Sequence, residues 1–471
     1  MSKKIKNTEV KTEKARKKKN ACMRGSWFNA LLRRRAAVAL LIVGQLAFFI
    51  WFLVSRSRSS VYTNMALRVL SIIVVFIVIL RRTKSAFKLS WVILILTFPV
   101  FGGLFYLLSN FQSSTFIYRK RLKDIEATLM HPSLEGRGCY DEAAAALPGH
   151  ITQIRYLEKF AGFPIWNKTG TEFLTPGEKY HERLLDELKK AEKYIFMEYF
   201  IVEEGKMWDP ILDVLKQKVA EGVEVRMMYD DIGCFFLLPQ NYREQLEAEG
   251  IKCRVFNPFT PFLTVLQNNR DHRKICVIDG KVAFTGGVNL ADEYINARQR
   301  FGHWKDSGIV LDGDAAWSFT VMFLQMWRLA AIRDEAPEDW QKYLPAEDPF
   351  ERRPRCGYVQ PYADSPMDFD NVGEHVYLQM IGNAKKYLYI NTPYLIIDDS
   401  MVSALTLAAK SGVDVRIITP HRWDKRFVHM TTRSYYRDLI RAGVRVYEYS
   451  NGFLHSKTFV ADDESATVGT T

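Results

Sequence analysis

Two stretches of this 471-residue chain repeat one chemistry-bearing spacing. His272, Lys274 and Asp279 stand as H-x-K-x4-D, and His455, Lys457 and Asp462 repeat the pattern. In extended backbone, residues i and i+2 point to the same face. Each histidine therefore shares a face with its lysine, while Arg273 and Ser456 point away. The stretches that follow, Ile275 to Ile278 and Thr458 to Ala461, can bury the strand and fix the two polar groups at its mouth, the rigid support a reacting group needs. A neutral imidazole is a nucleophile toward phosphorus and exchanges protons near neutral pH. A lysine adds fixed positive charge against the non-bridging oxygens of a phosphodiester. Two such half-sites facing each other supply a nucleophile and a general acid on opposite sides of one phosphorus, which suits in-line displacement. The aspartates stand too far along for direct attack. A carboxylate accepting from the second ring nitrogen of a histidine would set its tautomer and raise its basicity. A single motif arises readily by chance, and a lone histidine on a strand is more often structural. Two copies, each followed by a glycine turn (Gly286–Gly287 and Gly469–Thr470), are not coincidence. No H-x3-H or His/Cys cluster accompanies either histidine, so no metal or other cofactor is expected.

The elements that must position these groups are themselves repeated. AEKYIFMEYFIVEEG from Ala191 matches AKKYLYINTPYLIIDDS from Ala384, and GVEVRMMYD from Gly222 matches GVDVRIITP from Gly412. NYREQLEAEGIKCRVF from Asn241 matches SYYRDLIRAGVRVYEY from Ser434, and HRKICVIDG from His272 matches HSKTFVADD from His455. Four blocks in one order point to a duplicated domain. Within each copy, β-rich runs such as YIFMEYFIV alternate with helical patterns such as HERLLDELKKAEK. The expected fold class is α/β, with helices packed on a largely parallel or mixed sheet in each of two pseudo-symmetric halves and the site in the cleft between them.

Ahead of this body lie apolar segments. Residues 36–54 contain only Gln45 as a strongly polar side chain, flanked by Arg33 to Arg35 and by Arg56 and Arg58. That length fits a helix across a hydrocarbon core of about 30 Å, and no small-residue cleavage site follows, so an uncleaved anchor is expected. A second stretch ends at Leu80 with Asn64 and Arg68 in its first half. A third, residues 91–108, holds Pro99, Gly102 and Gly103 at its centre, as a kinked span or a re-entrant hairpin would. The basic N-terminus places that end in the cytoplasm. Two crossings would leave the body inside and three outside, so the expectation is a multi-pass protein of the cell membrane with its side open.

The net charge of +12 is a property of the tail. Residues 1–35 hold 13 Lys/Arg against two acids, leaving 52 basic and 51 acidic residues in the rest. Such a tail suits anionic headgroups on a cytoplasmic face, or stands as a solvated arm. The balanced body does not favour tracking a polyanion, which takes a basic stripe, so no nucleic-acid partner is expected. Cys22, Cys139, Cys234, Cys253, Cys276 and Cys356 form no CxxC pair, and no structural disulfide is required. The organisation read from these features is a basic tail (1–35), a membrane region (36–110), a linker with a leading helix (111–168), and two α/β domains (169–345 and 346–471).

HRKICVIDGKVAFTGGVNL resembles the signature of the phospholipase D superfamily, whose motif is written HKD. More closely, the FPVFGGLFYLL element, NTPYLI, TTRSYYRDLIRAGVRVYEY and GFLHSKTFV are similar to bacterial cardiolipin synthases, from about Trp91 to the last residue. The resemblance implies a metal-free, two-step transfer at the membrane. One phosphatidylglycerol is attacked by a histidine, releasing glycerol and leaving a phosphatidyl–histidine, and the glycerol hydroxyl of a second phosphatidylglycerol displaces the histidine. It further implies His272 as nucleophile, His455 as acid/base, Lys274 and Lys457 as phosphate-binding, and Asn289 as a phosphate contact; turn chemistry alone would make Asn289 a cap. In the repeat alignment Gly286 pairs with Gly469, so the counterpart of Asn289 falls one position past Thr471, and the second domain reads as truncated. A phospholipase D hydrolase would use the same residues with water as acceptor. A superfamily nuclease and an inactive scaffold are the remaining readings, the last having no need of paired motifs.

Overall fold

The structure, a computed structural model, describes residues 47, 58–81, 84–98, 102–103, 105–107, 113–258, 269–331, 338–345, 357–364 and 371–470. The basic tail, Cys22, Cys356, Pro99 and all but Ala47 of the first apolar stretch lie outside them. The chain forms two compact units, the first drawn from Met1–Ile117 and the second from Tyr118–Pro258 with Asn269–Thr471.

In the first unit, helix α1 (Arg58–Leu80) and helix α2 (Ser85–Thr97) enclose a small core of Val74, Val78, Ile95 and Tyr106. The Trp91 ring meets Tyr106 edge-on at 5.2 Å. Gly102 passes so close to α2 that a Cβ there would sit 2.7 Å from the Ile95 Cα, which only glycine avoids. Large apolar side chains such as Ile73, Phe76, Ile93 and Leu96 are exposed on these helices. Among the described residues, no helix is long and apolar enough to cross a membrane.

The second unit contains both halves of the repeat. Its first sheet has seven strands in the order β1-β8-β6-β5-β2-β3-β4. These are β1 (Thr169–Leu174), β2 (Tyr194–Tyr199), β3 (Glu224–Asp230), β4 (Lys252–Phe256), β5 (Lys274–Ile278), β6 (Val282–Gly286) and β8 (Gly308–Gly313). The second sheet runs β11-β10-β9-β13-β14, from β9 (Tyr387–Asn391), β10 (Asp414–Pro420), β11 (Arg445–Tyr449), β13 (Thr458–Ala461) and β14 (Ser465–Val468). In each sheet three parallel strands are followed by an antiparallel motif strand and its hairpin partner. The four sequence blocks thus become one architecture built twice.

Strand β2 is buried at all six positions, as its uninterrupted apolar run requires of a strand covered on both faces. On one side lies helix α3 (Gly177–Leu188), which buries Tyr180, Leu184 and Leu188 at fourfold spacing. Helix α4 (Trp208–Ala220) adds Trp208, Ile211 and Leu215 to the same core. The nearly fully buried helix α5 (Ala316–Leu329) covers the other side, stacking Phe323 on Phe196 at 4.7 Å. In the second half, helix α6 (Val372–Asn383), helix α7 (Asp399–Lys410) and helix α8 (Arg426–Arg441) surround the smaller sheet. The halves are joined through backbone: β7 (His303–Lys305) of the first pairs in parallel with β12 (Gly452–Leu454) of the second. Cys139, Cys234, Cys253 and Cys276 are free thiols.

Candidate active site

His272 lies two residues ahead of β5, and Lys274 is the first residue of that strand, paired opposite Tyr199. The Lys274 ammonium is almost wholly buried. It reaches back to His272 Nδ1 at 3.2 Å and donates to the His272 carbonyl. Phe200, just past β2, packs its ring at 4.7 Å from the His272 imidazole. His272 keeps accessible surface, as a group that must meet a substrate requires.

The second half-site is deeper. His455 is buried, directly after β12, and its backbone N–H donates to the Lys305 carbonyl at 2.8 Å. The parallel pairing of β7 with β12 therefore lays Trp304 and Asp306 of the first half against the second histidine. The Trp304 ring is 5.3 Å from His455 and Tyr294 meets it edge-on at 5.7 Å. Asp306 Oδ2 accepts from His455 Nδ1 at 2.6 Å, and Lys457 Nζ lies 3.1 Å from the same nitrogen. Gly452 makes this junction possible, since a Cβ there would stand 2.2 Å from the His303 carbonyl oxygen.

The electrostatics tie the two half-sites together. Desolvation of the ring by the protein packed around it, and then the fields of Lys274 and Lys457, hold the His272 imidazole far below its ordinary pKa. Burial, followed by Lys457, pushes His455 down to about 4, although Asp306 works the other way. Lys274 is held well below the usual ammonium value by burial and then by Lys457, and burial brings Lys457 down to about 8. Burial works to raise the Asp306 carboxyl, but His455 and Lys457 outweigh it and keep it ionised. The Lys457 charge thus depresses His272, His455 and Lys274 alike, while Asp306 works in the opposite direction on His455, Lys274 and Lys457. An added oxyanion would relieve that repulsion. Thr470 in the glycine turn of the second half also donates to the His272 carbonyl at 3.0 Å. A cavity of about 680 Å³ opens beside His272 and Lys274, walled by apolar side chains that include Ile309, Leu311, Phe319 and Met322.

Three expected site residues are not brought to the imidazoles. Asp279 and Asp462 sit at the far ends of β5 and β13, at left-handed turn positions with φ of 54° and 58°. Asp279 accepts backbone N–H groups of Glu192, Lys193 and Tyr194 at 2.7–2.8 Å. Asp462 does the same for Lys385, Lys386 and Tyr387 at 2.6–2.8 Å. Four strand residues, at about 3.3 Å each, separate each carboxylate from its lysine. Their geometry is that of anchors for the turns entering β2 and β9. Asn289 is buried with both ends of its amide engaged: Oδ1 accepts from Ile201 N–H at 3.0 Å, and Nδ2 donates to Tyr294 Oη at 2.7 Å. It holds the tyrosine that flanks His455.

Sequence reading missed Asp306, Trp304 and Tyr294. Asp306 lies in HWKDSGI, outside the four repeated blocks, so the repeat offers it no counterpart. The one signal was an acid, next to Ser-Gly, leading into an apolar strand.

Fold and site define a class: duplicated α/β proteins in which each half carries a His–Lys pair at the start of an antiparallel motif strand. A family described as "Cardiolipin synthase, PLD-like domain" matches residues 184–327 and 377–471, and one described as "Phospholipase_D-nuclease N-terminal" matches residues 69–109. The chain is 38% identical over 407 residues to a cardiolipin synthase of Alkalihalophilus pseudofirmus, covering 85% of this chain and 79% of that one. It is 38% identical over 399 residues to cardiolipin synthase 2 of Bacillus anthracis, covering 84% and 76%. An uncharacterized protein of Streptococcus mutans is 44% identical over 385 residues, covering 81% and 82%. The phosphatidylserine synthase of Haemophilus influenzae Rd KW20 aligns in three dimensions with a TM-score of 0.47 and 15% identity, covering 66% of this chain and 81% of that one. This chain belongs to the cardiolipin synthase family of phospholipase D-like proteins.

Proposed function

We propose that this protein is a membrane-bound phosphatidyltransferase that joins two phosphatidylglycerol molecules into cardiolipin and releases glycerol. The observation that carries the reading is the electrostatic coupling of His272 and Lys274 with His455 and Lys457, two copies of one motif, together with the Thr470 hydrogen bond from the second half to the His272 carbonyl. A nitrogen of His272 attacks phosphorus; the bond from phosphorus to the glycerol oxygen breaks, and the departing oxygen takes a proton from His455. The hydroxyl of a second phosphatidylglycerol then gives its proton to His455 and attacks phosphorus, breaking the P–N bond and restoring His272. Lys274 and Lys457 bind the non-bridging oxygens.

The difference between the two histidines supports this division of roles. His272 is accessible, as the attacking group must be, whereas His455 is buried and donates to Asp306, leaving Nε2 to exchange protons with the substrate oxygens. A phosphodiester between the two lysines offsets their field and brings His455 up toward the range where it can deliver a proton. The apolar cavity wall beside His272 suits an acyl-bearing substrate. We read residues 36–54, the stretch ending at Leu80 and residues 91–108 as the membrane attachment of an enzyme whose substrate is a lipid. We assign no nucleic-acid role.

The test is purified full-length protein given phosphatidylglycerol. Cardiolipin and free glycerol in equal amounts support the reading, and His272→Ala abolishes both. Phosphatidic acid as the main product would show that water is the acceptor.

A further inference from the structure

We propose that two apolar loops flanking the cleft form a lip that docks on an anionic lipid bilayer and presents the site to headgroups in its surface. This rests on the lipid-transfer reading above and adds a surface to it. One loop follows β3 and exposes Ile232 and Phe236. The other follows β10, runs into α8, and exposes Trp423, Phe427 and Met430, with Phe427 at 82%. Both loops lie at the ends of their sheets where the motif strands begin, because β5 runs antiparallel to β2 and β13 antiparallel to β9.

The first loop is one contact from a reacting group, and the second acts on the reacting groups through its charges. In the first, the chain at Gly233 presses so closely on Phe200 that a Cβ would stand 1.9 Å from its carbonyl oxygen, and Phe200 packs on His272. In the second, Lys425 lies 5.4 Å from the Tyr394 ring centre, and the Tyr394 hydroxyl donates to Asp424. Asp424 and Lys425 also act electrostatically on Lys457 and His272.

The composition names the occupant. In the run His421–Arg422–Trp423–Asp424–Lys425–Arg426–Phe427, three exposed cations alternate with two exposed aromatics. Folding gains nothing from exposing large aromatic rings to water. A tryptophan with neighbouring cations suits the headgroup layer, where the rings enter the acyl boundary and the cations meet anionic lipid. A protein partner would not explain why the lip surrounds a site whose proposed substrates reside in a bilayer.

The test uses the full-length protein reconstituted in phosphatidylcholine vesicles containing phosphatidylserine, with Cys22 and Cys356 replaced by serine. An environment-sensitive fluorophore is placed at Phe427→Cys, at Phe236→Cys, or at Leu407→Cys, an exposed apolar position on α7. Nitroxides on the lipid acyl chains should quench positions 427 and 236 at least ~2-fold, with a blue shift, and leave position 407 unchanged. Unquenched lip labels, or equal quenching at 407, would overturn the proposal. So would a blue shift without lipid quenching, which would mean that a second copy covers the lip. Because the readout needs no turnover, it is independent of whether phosphatidylglycerol proves to be the substrate.

Discussion

The Nδ1 nitrogen of His455 and the Oδ2 oxygen of Asp306 are 2.6 Å apart, although 149 residues of chain and the junction of two half-domains separate them. Each half of the duplicated fold contributes a histidine, yet the second histidine is oriented by the first half. Asp306→Asn should lower kcat by about a hundredfold to ten-thousandfold with little change in KM, because the carboxylate fixes the tautomer and stabilises the imidazolium. Thermal unfolding of this variant should match that of the parent; a loss of kcat matched by a collapse in stability would show Asp306 to be merely structural.

The motif aspartates predict a different phenotype. Removing Asp279 orphans three backbone N–H groups, at a cost of ~1–3 kcal/mol in a largely buried setting. Asp279→Ala and Asp462→Ala should therefore lower the Tm by several degrees, while kcat per folded molecule stays near that of the parent. Asp279→Asn should recover part of the loss, since its amide oxygen still accepts and asparagine tolerates positive φ. A large fall in kcat at unchanged Tm would contradict this assignment.

Much of this was legible before any coordinates. The duplication followed from four ordered blocks, and the facing of His272 with Lys274 followed from strand periodicity. Asp306 was not legible, because its partner lies across a pairing between β7 and β12, two three-residue strands too short to leave a pattern. Nor was the diversion of Asp279, Asp462 and Asn289 to backbone and tyrosine partners, since spacing along a chain does not say which neighbour satisfies a side chain first.

Gly452 tests that pairing. Gly452→Ala places a methyl group against the His303 carbonyl, which is backbone and cannot yield cheaply. It should displace His455 from Asp306 and cut kcat at least roughly tenfold. Gly382→Ala on α6, where a Cβ would meet nothing within 4 Å, serves as the control and should leave activity intact. Equal activities for the two variants would exclude a positioning role for the β7–β12 contact.

Acid should weaken the fold through His455. Its folded pKa is lowered from 6.5 to about 4, so between those values the unfolded chain binds the extra proton. Stability should fall as pH drops through this window and lose nothing further from this group below it. The Tm of His455→Gln in detergent, followed from pH 7 to pH 4, should decline less steeply than that of the parent. Parallel curves would argue against a neutral buried imidazole.

The central claim is that two imidazoles serve one phosphorus, with His272 forming the covalent bond. Full-length protein incubated briefly with phosphatidylglycerol radiolabelled at phosphorus, then quenched in alkali and digested, reports this directly. The label should sit on the peptide containing His272, formed together with one equivalent of glycerol, and should disappear in His272→Ala. Label on the His455 peptide would reverse the roles, and cardiolipin formed by a protein lacking His272 would contradict the account outright.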